Sequence, residues 1–214
     1  MSLAMAGSLV NGYTLSKSLR FRSSASAYLN RTPSTAGNRR TFTFSAWVKF
    51  GTIGTTNRVL TSSVLDGNNR YQIQVSDATA DQLTFQARLS GVEYKYWTSS
   101  AVYRDPAAWY HIVFAMDTTQ ATAANRTKLY VNGVDQGGSN PTTITQNTEV
   151  FFNALVQQNI GNVVSAAYFD GYMAEINNID GQALTPSSFG STNALTGVWQ
   201  PAKYTGTYGT NGFY

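Results

Sequence analysis

The sequence has no cysteine, which excludes disulfides, zinc–thiolate centres and a cysteine nucleophile together. Secreted eukaryotic sandwiches usually carry disulfides, so this lack fits folding in a reducing cytoplasm. Histidine occurs once, as His111, and any histidine-based triad would have to pass through that single ring. It lies between Tyr110 and Ile112 in an apolar stretch, where a satisfied structural histidine is expected, and no nucleophile-elbow pattern accompanies it. Glutamate occurs only at Glu93, Glu149 and Glu175, far apart in sequence. A retaining glycosidase needs two carboxylates close together on one face, so no catalytic residues are expected. Charged residues make up 12% of the chain, with a net charge of +4, and that share is about half the usual one. The basic residues cluster only at Arg39-Arg40, with Arg20, Arg22 and Arg31 nearby. A nucleic-acid surface needs a stripe of positive charge with aromatics between, so these arginines are read as solubilising a strand edge. No apolar run reaches the length of a membrane span. Met1 to Val10 lacks a basic leader and is broken by Gly7 and Ser8, unlike a signal peptide.

What is present is a β pattern. The 214 residues are 42% hydrophobic, enough for one sizeable core. Phe42, Phe44, Ala46, Val48 and Phe50 recur at period two, with Trp47 pointing the other way, as in a half-buried strand. Tyr71, Ile73 and Val75 alternate with Gln72 and Gln74. Leu83, Phe85, Ala87 and Leu89 alternate with Thr84, Gln86 and Arg88. Trp109 to Met116 is apolar almost throughout, which predicts a central strand covered on both faces. Asn132-Gly133, between Thr127–Val131 and Val134, predicts a type I′ hairpin; Asp66-Gly67 and Asp170-Gly171 predict further tight turns. Tyr172, Ala174 and Ile176 are expected on one side of a late strand. The one helical signal is Thr185-Pro186-Ser187-Ser188, with Thr185 as N-cap and Pro186 at the first position. The pattern gives an all-β chain with few short helical turns, a sandwich or barrel.

Phe44-Ser45-Ala46-Trp47-Val48-Lys49, Trp109-Tyr110-His111-Ile112-Val113, Lys128-Leu129-Tyr130-Val131-Asn132-Gly133 and Phe169-Asp170-Gly171-Tyr172-Met173-Ala174-Glu175-Ile176 resemble strands of concanavalin A-like, laminin-G-like jelly rolls. A narrower likeness spans most of the chain. Val102 to His111, Asp117-Thr118-Thr119-Gln120, Ile179 to Leu184, Phe189-Gly190, Gly197-Val198-Trp199-Gln200-Pro201 and Tyr204 to Phe213 stand in the order seen in lectin-like domains of bacteriophage virion proteins. The resemblance implies an antiparallel two-sheet jelly-roll sandwich over residues 1–196. A Gly/Tyr-rich segment, 197–214, would pack on the sandwich or on a neighbouring subunit. It also implies a place on the virion surface after synthesis in a bacterial cytoplasm, with other virion proteins and further copies of the chain as partners, and with neither nucleic acid nor membrane among them.

Two sets of residues are candidates for contact. Trp199, Tyr204, Tyr208, Phe213 and Tyr214 offer large amphipathic area for assembly. Asp66, Asn68 and Asn69, with Tyr94, Tyr96 and Trp97, offer amides and carboxylates beside aromatic platforms, which suits glycans. Tyr94 and Tyr96 would share one face of their strand, Lys95 and Trp97 the other. That strand also reads as ordinary β-formers. Asp66-Gly67-Asn68-Asn69 and Asp77-Ala78-Thr79-Ala80-Asp81 are partial oxygen sets for calcium, although turn chemistry explains them as well. No cofactor or metal is assigned. The expectation is therefore a structural virion protein (capsid decoration, head fibre or tail fibre), with a carbohydrate-binding adhesin as the alternative and a glycan hydrolase as a third, weaker reading.

Overall fold

The computed structural model describes residues 13–54, 58–76, 81–139, 142–164 and 167–214. The leader reading of Met1 to Val10 and the Asp77 end of one calcium set lie outside them. The strands are β1 Leu19–Phe21, β2 Leu29–Arg31, β3 Thr41–Phe50, β4 Arg58–Asp66 and β5 Asn69–Ser76. Then come β6 Gln82–Leu89, β7 Val92–Val102, β8 Tyr110–Asp117, β9 Thr127–Val131 and β10 Val134–Asp135. The last are β11 Gly138–Ser139, β12 Gln157–Ile160, β13 Gly171–Asp180, β14 Gly190–Thr192 and β15 Trp199–Pro201. The described helical elements are single 3-10 turns at Ser23–Ala25, Ala123–Asn125 and Pro186–Ser188.

The first sheet has the order β1-β13-β3-β8-β9-β10, and the second β11-β7-β6-β5-β4-β12-β2. All their pairings are antiparallel. The two sheets face each other across one core, in which Phe42, Phe44 and Phe114 of the first meet Ile73, Leu83 and Phe85 of the second. The Phe85 and Phe114 rings bridge the sheets with centroids 4.6 Å apart. Each such ring, fully buried, contributes about 1.5–3 kcal/mol.

Turns and bulges set the registers. Asn132 and Gly133 both have positive φ, 50° and 82°, as the two-residue type I′ turn between β9 and β10 requires. Asp170-Gly171 is not a tight turn: Gly171 opens β13 opposite Phe50. Its φ is +144°, and a Cβ there would lie 2.1 Å from the Lys49 carbonyl oxygen. Gly171→Ala is therefore expected to cost at least about 2 kcal/mol through strain; an unchanged urea midpoint would contradict this register. Further along β13, Ala174 pairs with Trp47 but Asn177 with Ser45, so one residue is extra. Glu175 absorbs it at φ +50°. The alternation read from Tyr172, Ala174 and Ile176 is corrected accordingly: Met173 and Ile176 reach the core, three apart, because the bulge reverses the faces between them.

The C-terminal segment closes the outer face of the first sheet. Phe189 and Tyr204 pack over Val113 and Ile179 in a second apolar cluster. The chain ends alongside β13, where Phe213 and Asn178 exchange backbone hydrogen bonds of 2.9 Å each way.

Candidate functional site

Because Tyr71, Ile73, Val75, Leu83, Phe85 and Ala87 point into the core, the residues between them must line the opposite face of the second sheet. That face is a grid of polar side chains in three cross-strand rows. The outermost runs Gln157, Val64, Arg70, Arg88, Glu93. The middle row runs Asn30, Asn159, Ser62, Gln72, Gln86, Lys95. The innermost runs Val59, Gln74, Thr84, Thr98. Exposure falls along the strands. Gln157, Glu93 and Asn30 are exposed and Arg70, Arg88 and Lys95 half-buried, whereas Ser62, Gln72, Gln86 and Asn159 of the middle row and Gln74, Thr84 and Thr98 of the innermost are buried.

The amides are held by one another. Along β5, Arg70 Nε donates to Gln72 Oε1 (3.2 Å) and Gln72 Nε2 to Gln74 Oε1 (2.6 Å). Across β12 and β4, Gln157 Nε2 donates to Asn159 Oδ1 (2.7 Å), Asn159 Nδ2 to Ser62 Oγ (3.2 Å), and Ser62 Oγ to the Asn162 carbonyl (2.7 Å). Asn30, Gln86 and Lys95 of the middle row stay outside this network. Gln86 is 7% exposed, and its amide takes no part in the hydrogen bonds that link the neighbouring amides. The Lys95 ammonium is in none of the ion pairs among the described residues. The Gln86 amide is not among the buried polar atoms that lack a partner, so it reaches solvent and offers a donor and an acceptor in the middle of the grid. A second opening, of about 240 Å³, lies at the sandwich edge among Leu29, Arg31, Phe152, Gln158, Ile160 and Phe213. Its walls are mainly apolar.

A family model described as the concanavalin A-like lectin/glucanases superfamily matches residues 22–188. The chain belongs to that superfamily. No curated protein matches it. Among solved structures, domain 4 of the extracellular arabinanase AbnA from Geobacillus stearothermophilus, in complex with arabinotriose, is similar at 21% identity and a TM-score of 0.51. The match covers 70% of this chain and 65% of that one. A heptameric pentraxin from Limulus polyphemus matches at 15% identity and a TM-score of 0.50, over 74% of this chain and 71% of its own. Domains LG4-5 of the mouse laminin α1 chain match at 11% and 0.51, over 77% of this chain and 42% of theirs. These likenesses are of fold: a lectin-like jelly roll.

On this superfamily sandwich the expected glycan residues separate. Asp66 Oδ1 accepts from the Asn68 backbone N–H (2.7 Å) and from Asn69 Nδ2 (3.1 Å), and Asn69 Oδ1 accepts from the Ser90 N–H (3.0 Å). The Asp66–Asn69 turn thus sits at the open end of the grid, fastened to the β6–β7 turn. The aromatics are corrected to the other side of the sheet. Tyr94 packs against the core, and Tyr96 and Trp97 belong to it. Lys95 pairs with Gln86 but Trp97 with Phe85, so a bulge turns Trp97 inward beside Tyr96. Glu93 and Lys95, on either side of Tyr94, are what this part of β7 presents outward.

Calcium takes six to eight oxygen ligands, and the described carboxylates of the two sets, Asp66 and Asp81, are engaged otherwise. Both Asp66 oxygens are engaged by its own turn. Asp81 gives one oxygen to Arg58 and the other to Arg104, the latter at 3.0 Å.

The residues expected to serve assembly are mostly spent within the chain. Trp199 Nε1 donates to His111 Nδ1 (2.9 Å), Tyr204 Oη to the Thr207 carbonyl (2.9 Å) and Tyr208 Oη to Asn177 Oδ1 (2.8 Å). Phe213 lies under the Arg31 guanidinium. Tyr214 is exposed, with its hydroxyl on Glu175 Oε1 at 2.6 Å.

His111 is locked as well. Its ring lies between Trp47 and Trp199, with centroids at 5.0 and 5.9 Å. An indole N–H can only donate, so Nδ1 accepts, and Nε2 carries the proton that Ser45 Oγ takes at 3.0 Å. Burial pushes its pKa down to about 3.

Proposed function

We propose that this protein is a lectin-like domain of a bacteriophage particle that grips glycans with the polar grid of its second sheet and does not cleave them. The observation that carries the glycan reading is the solvent-reaching Gln86 amide beside Gln72, Gln74, Asn159 and Gln157, whose amides hydrogen bonds already orient. Sugar hydroxyls both donate and accept, and a primary amide answers both at once. Side chains held in place before binding lose little entropy when the ligand arrives. The related arabinanase domain, solved with arabinotriose, supports a saccharide as the ligand class. Binding without turnover is supported by the engagement of His111 on both nitrogens and by Glu149, which pairs with Arg39 and Arg40.

The virion setting rests on the ordered motifs from Val102 to Phe213. With Trp199, Tyr204, Tyr208 and Phe213 used internally, attachment to a particle falls to other surfaces, and the glycan grid moves ahead of assembly as the reading of this fold.

Glycan arrays test the first part. Wild type should bind at least one glycan, and Gln86→Ala should weaken that binding about 5- to 30-fold, the loss of one or two hydrogen bonds at about 1 kcal/mol each. Its melting temperature should hold, since the amide takes no part in the hydrogen bonds that link its neighbours. Undiminished binding by Gln86→Ala would move the site elsewhere. Electron microscopy of particles labelled through this chain tests the second part; a chain absent from purified virions would sink the virion setting while leaving the lectin.

A further inference from the structure

Arg70 and Arg88 stand directly opposite each other on β5 and β6. Like charges in that relation repel, and these two are half-buried, so water screens them less than it would at the surface. Their hydrogen bonds to neutral groups do not remove the charge. Arg70 donates to Gln72 Oε1 and the Gly67 carbonyl, and Arg88 Nε to the Gly91 carbonyl at 3.1 Å. A third cation, Lys95, lies on the same face, diagonal to Arg88 across the β6–β7 pair. The carboxylate set against them is Glu93, directly opposite Arg88, with its side chain 57% exposed and 3.8 Å from Arg70 Nη2. The nearby Asp66 bonds only to neutral groups of its own turn and keeps its charge as well, so Arg70, Arg88 and Lys95 stand against Glu93 and Asp66. Burial lowers the Arg70 pKa first and the Arg88 charge lowers it further. The open end of the grid therefore carries a standing excess of positive charge, and the amide rows lead away from it.

Resting on the reading of this face as a glycan site, we infer that it selects acidic glycans, with the carboxylate or sulfate of one sugar seated across Arg70, Arg88 and Lys95 and the neutral part of the chain lying along the Gln72–Gln86 row. An anion there relieves the cross-strand repulsion, and guanidinium groups suit carboxylate and sulfate oxygens by charge and by paired hydrogen bonds. The site then works by electrostatic complementarity, which gives specificity and salt dependence together.

The test is calorimetric binding to matched saccharides: oligogalacturonate against its methyl ester, sialyllactose against lactose, and heparin oligosaccharide against its desulfated form. At least one acidic member should bind tenfold or more tightly than its neutral partner at low salt, and the gap should shrink as salt rises. The pair that discriminates tells carboxylate from sulfate. Arg88→Gln should cut acidic binding at least tenfold without lowering the melting temperature, because it removes a repulsive partner; Arg88→Lys should retain most of the binding. Equal affinity within every pair, or full acidic binding by Arg88→Gln, overturns the inference while leaving the glycan reading intact. Folded protein that binds neither acidic nor neutral members overturns both. A thymidine 20-mer bound as tightly as the best acidic saccharide shows a general polyanion surface and also overturns it.

Discussion

Asp81→Ala is expected to lower the unfolding free energy by about 3–5 kcal/mol, the usual cost of removing one partner of a buried ion pair. The Arg58 side chain is 1% exposed and the Asp81 side chain 4%. Arg58 has few alternatives. Its guanidinium also reaches the Thr52 carbonyl and lies over the Phe50 ring at 5.3 Å, and its Nε has no partner. Asp81 in addition receives the Gly54 N–H at 3.0 Å and Arg104 Nε at 3.0 Å. Burial of this carboxylate works against its ionisation. The hydrogen bonds from Arg104, Gly54 and Arg58 outweigh that and hold its pKa below the ordinary carboxylate value. Asp81 sits at φ +67°, where alanine is strained and asparagine is tolerated. Asp81→Asn therefore separates loss of charge from loss of backbone fit and should cost less than Asp81→Ala. The double change Arg58→Met with Asp81→Ala should recover part of the loss, since an apolar pair of similar size replaces a stranded charge. Urea unfolding of the four proteins decides it. A single-variant loss below about 1 kcal/mol, or no recovery in the double variant, would contradict the account.

Lowering the pH from 7.5 to 5 should remove about 2 kcal/mol of stability through His111 alone. In the fold the ring is neutral, with its pKa near 3; in the unfolded chain it is near 6.5. Between those values the unfolded chain binds the extra proton, so unfolding becomes easier as the pH falls. The slope approaches about 1.4 kcal/mol per pH unit once the unfolded ring is mostly charged. Carboxylates with lowered pKa, such as Asp81 and Asp117, add their own loss, but only as the pH drops through the acid range below about 4.5. His111 is the only histidine, so the interval from pH 6.5 to 5 belongs to it. His111→Gln should be less stable at neutral pH and should flatten this interval. Stability independent of pH between 6.5 and 5 in the wild type would mean that the ring takes a proton while folded, against the geometry in which the Trp199 N–H already points at Nδ1.

The two-sheet fold was legible because its strands obey strict alternation. Tyr71, Ile73 and Val75 announced a core face and, by the same token, put Gln72 and Gln74 on the other. Asn132-Gly133 announced its hairpin through positive φ. The errors occur where the period of two breaks. The bulge at Lys95 to Trp97 and the one at Glu175 each add a residue, and period counting then assigns every later side chain to the wrong face. The grid itself could have been read from Gln72, Gln74, Thr84, Gln86 and Arg88, all at alternate positions. In sequence the aromatics Tyr94, Tyr96 and Trp97 are the stronger sugar signal, because a polar alternation alone also fits any solvated strand face. Cross-strand neighbours such as Arg70 and Arg88 are 18 residues apart in the sequence, and only the register brings them together. The pairing of Trp199 with His111 is equally non-local, so a tyrosine- and glycine-rich tail read as assembly surface when it is the cover of the first sheet.

The central claim is that ligand binds the outer face of the second sheet. Side-chain amide resonances of isotope-labelled protein, followed during titration with an oligosaccharide that it binds, test this directly. The account predicts that Gln86 shifts most, with Gln72 and Gln157 following and Asn193, after β14, and Asn211, in the tail, unmoved. Shifts confined to Gln158, Asn178 and the edge opening, or to the tail, would contradict it.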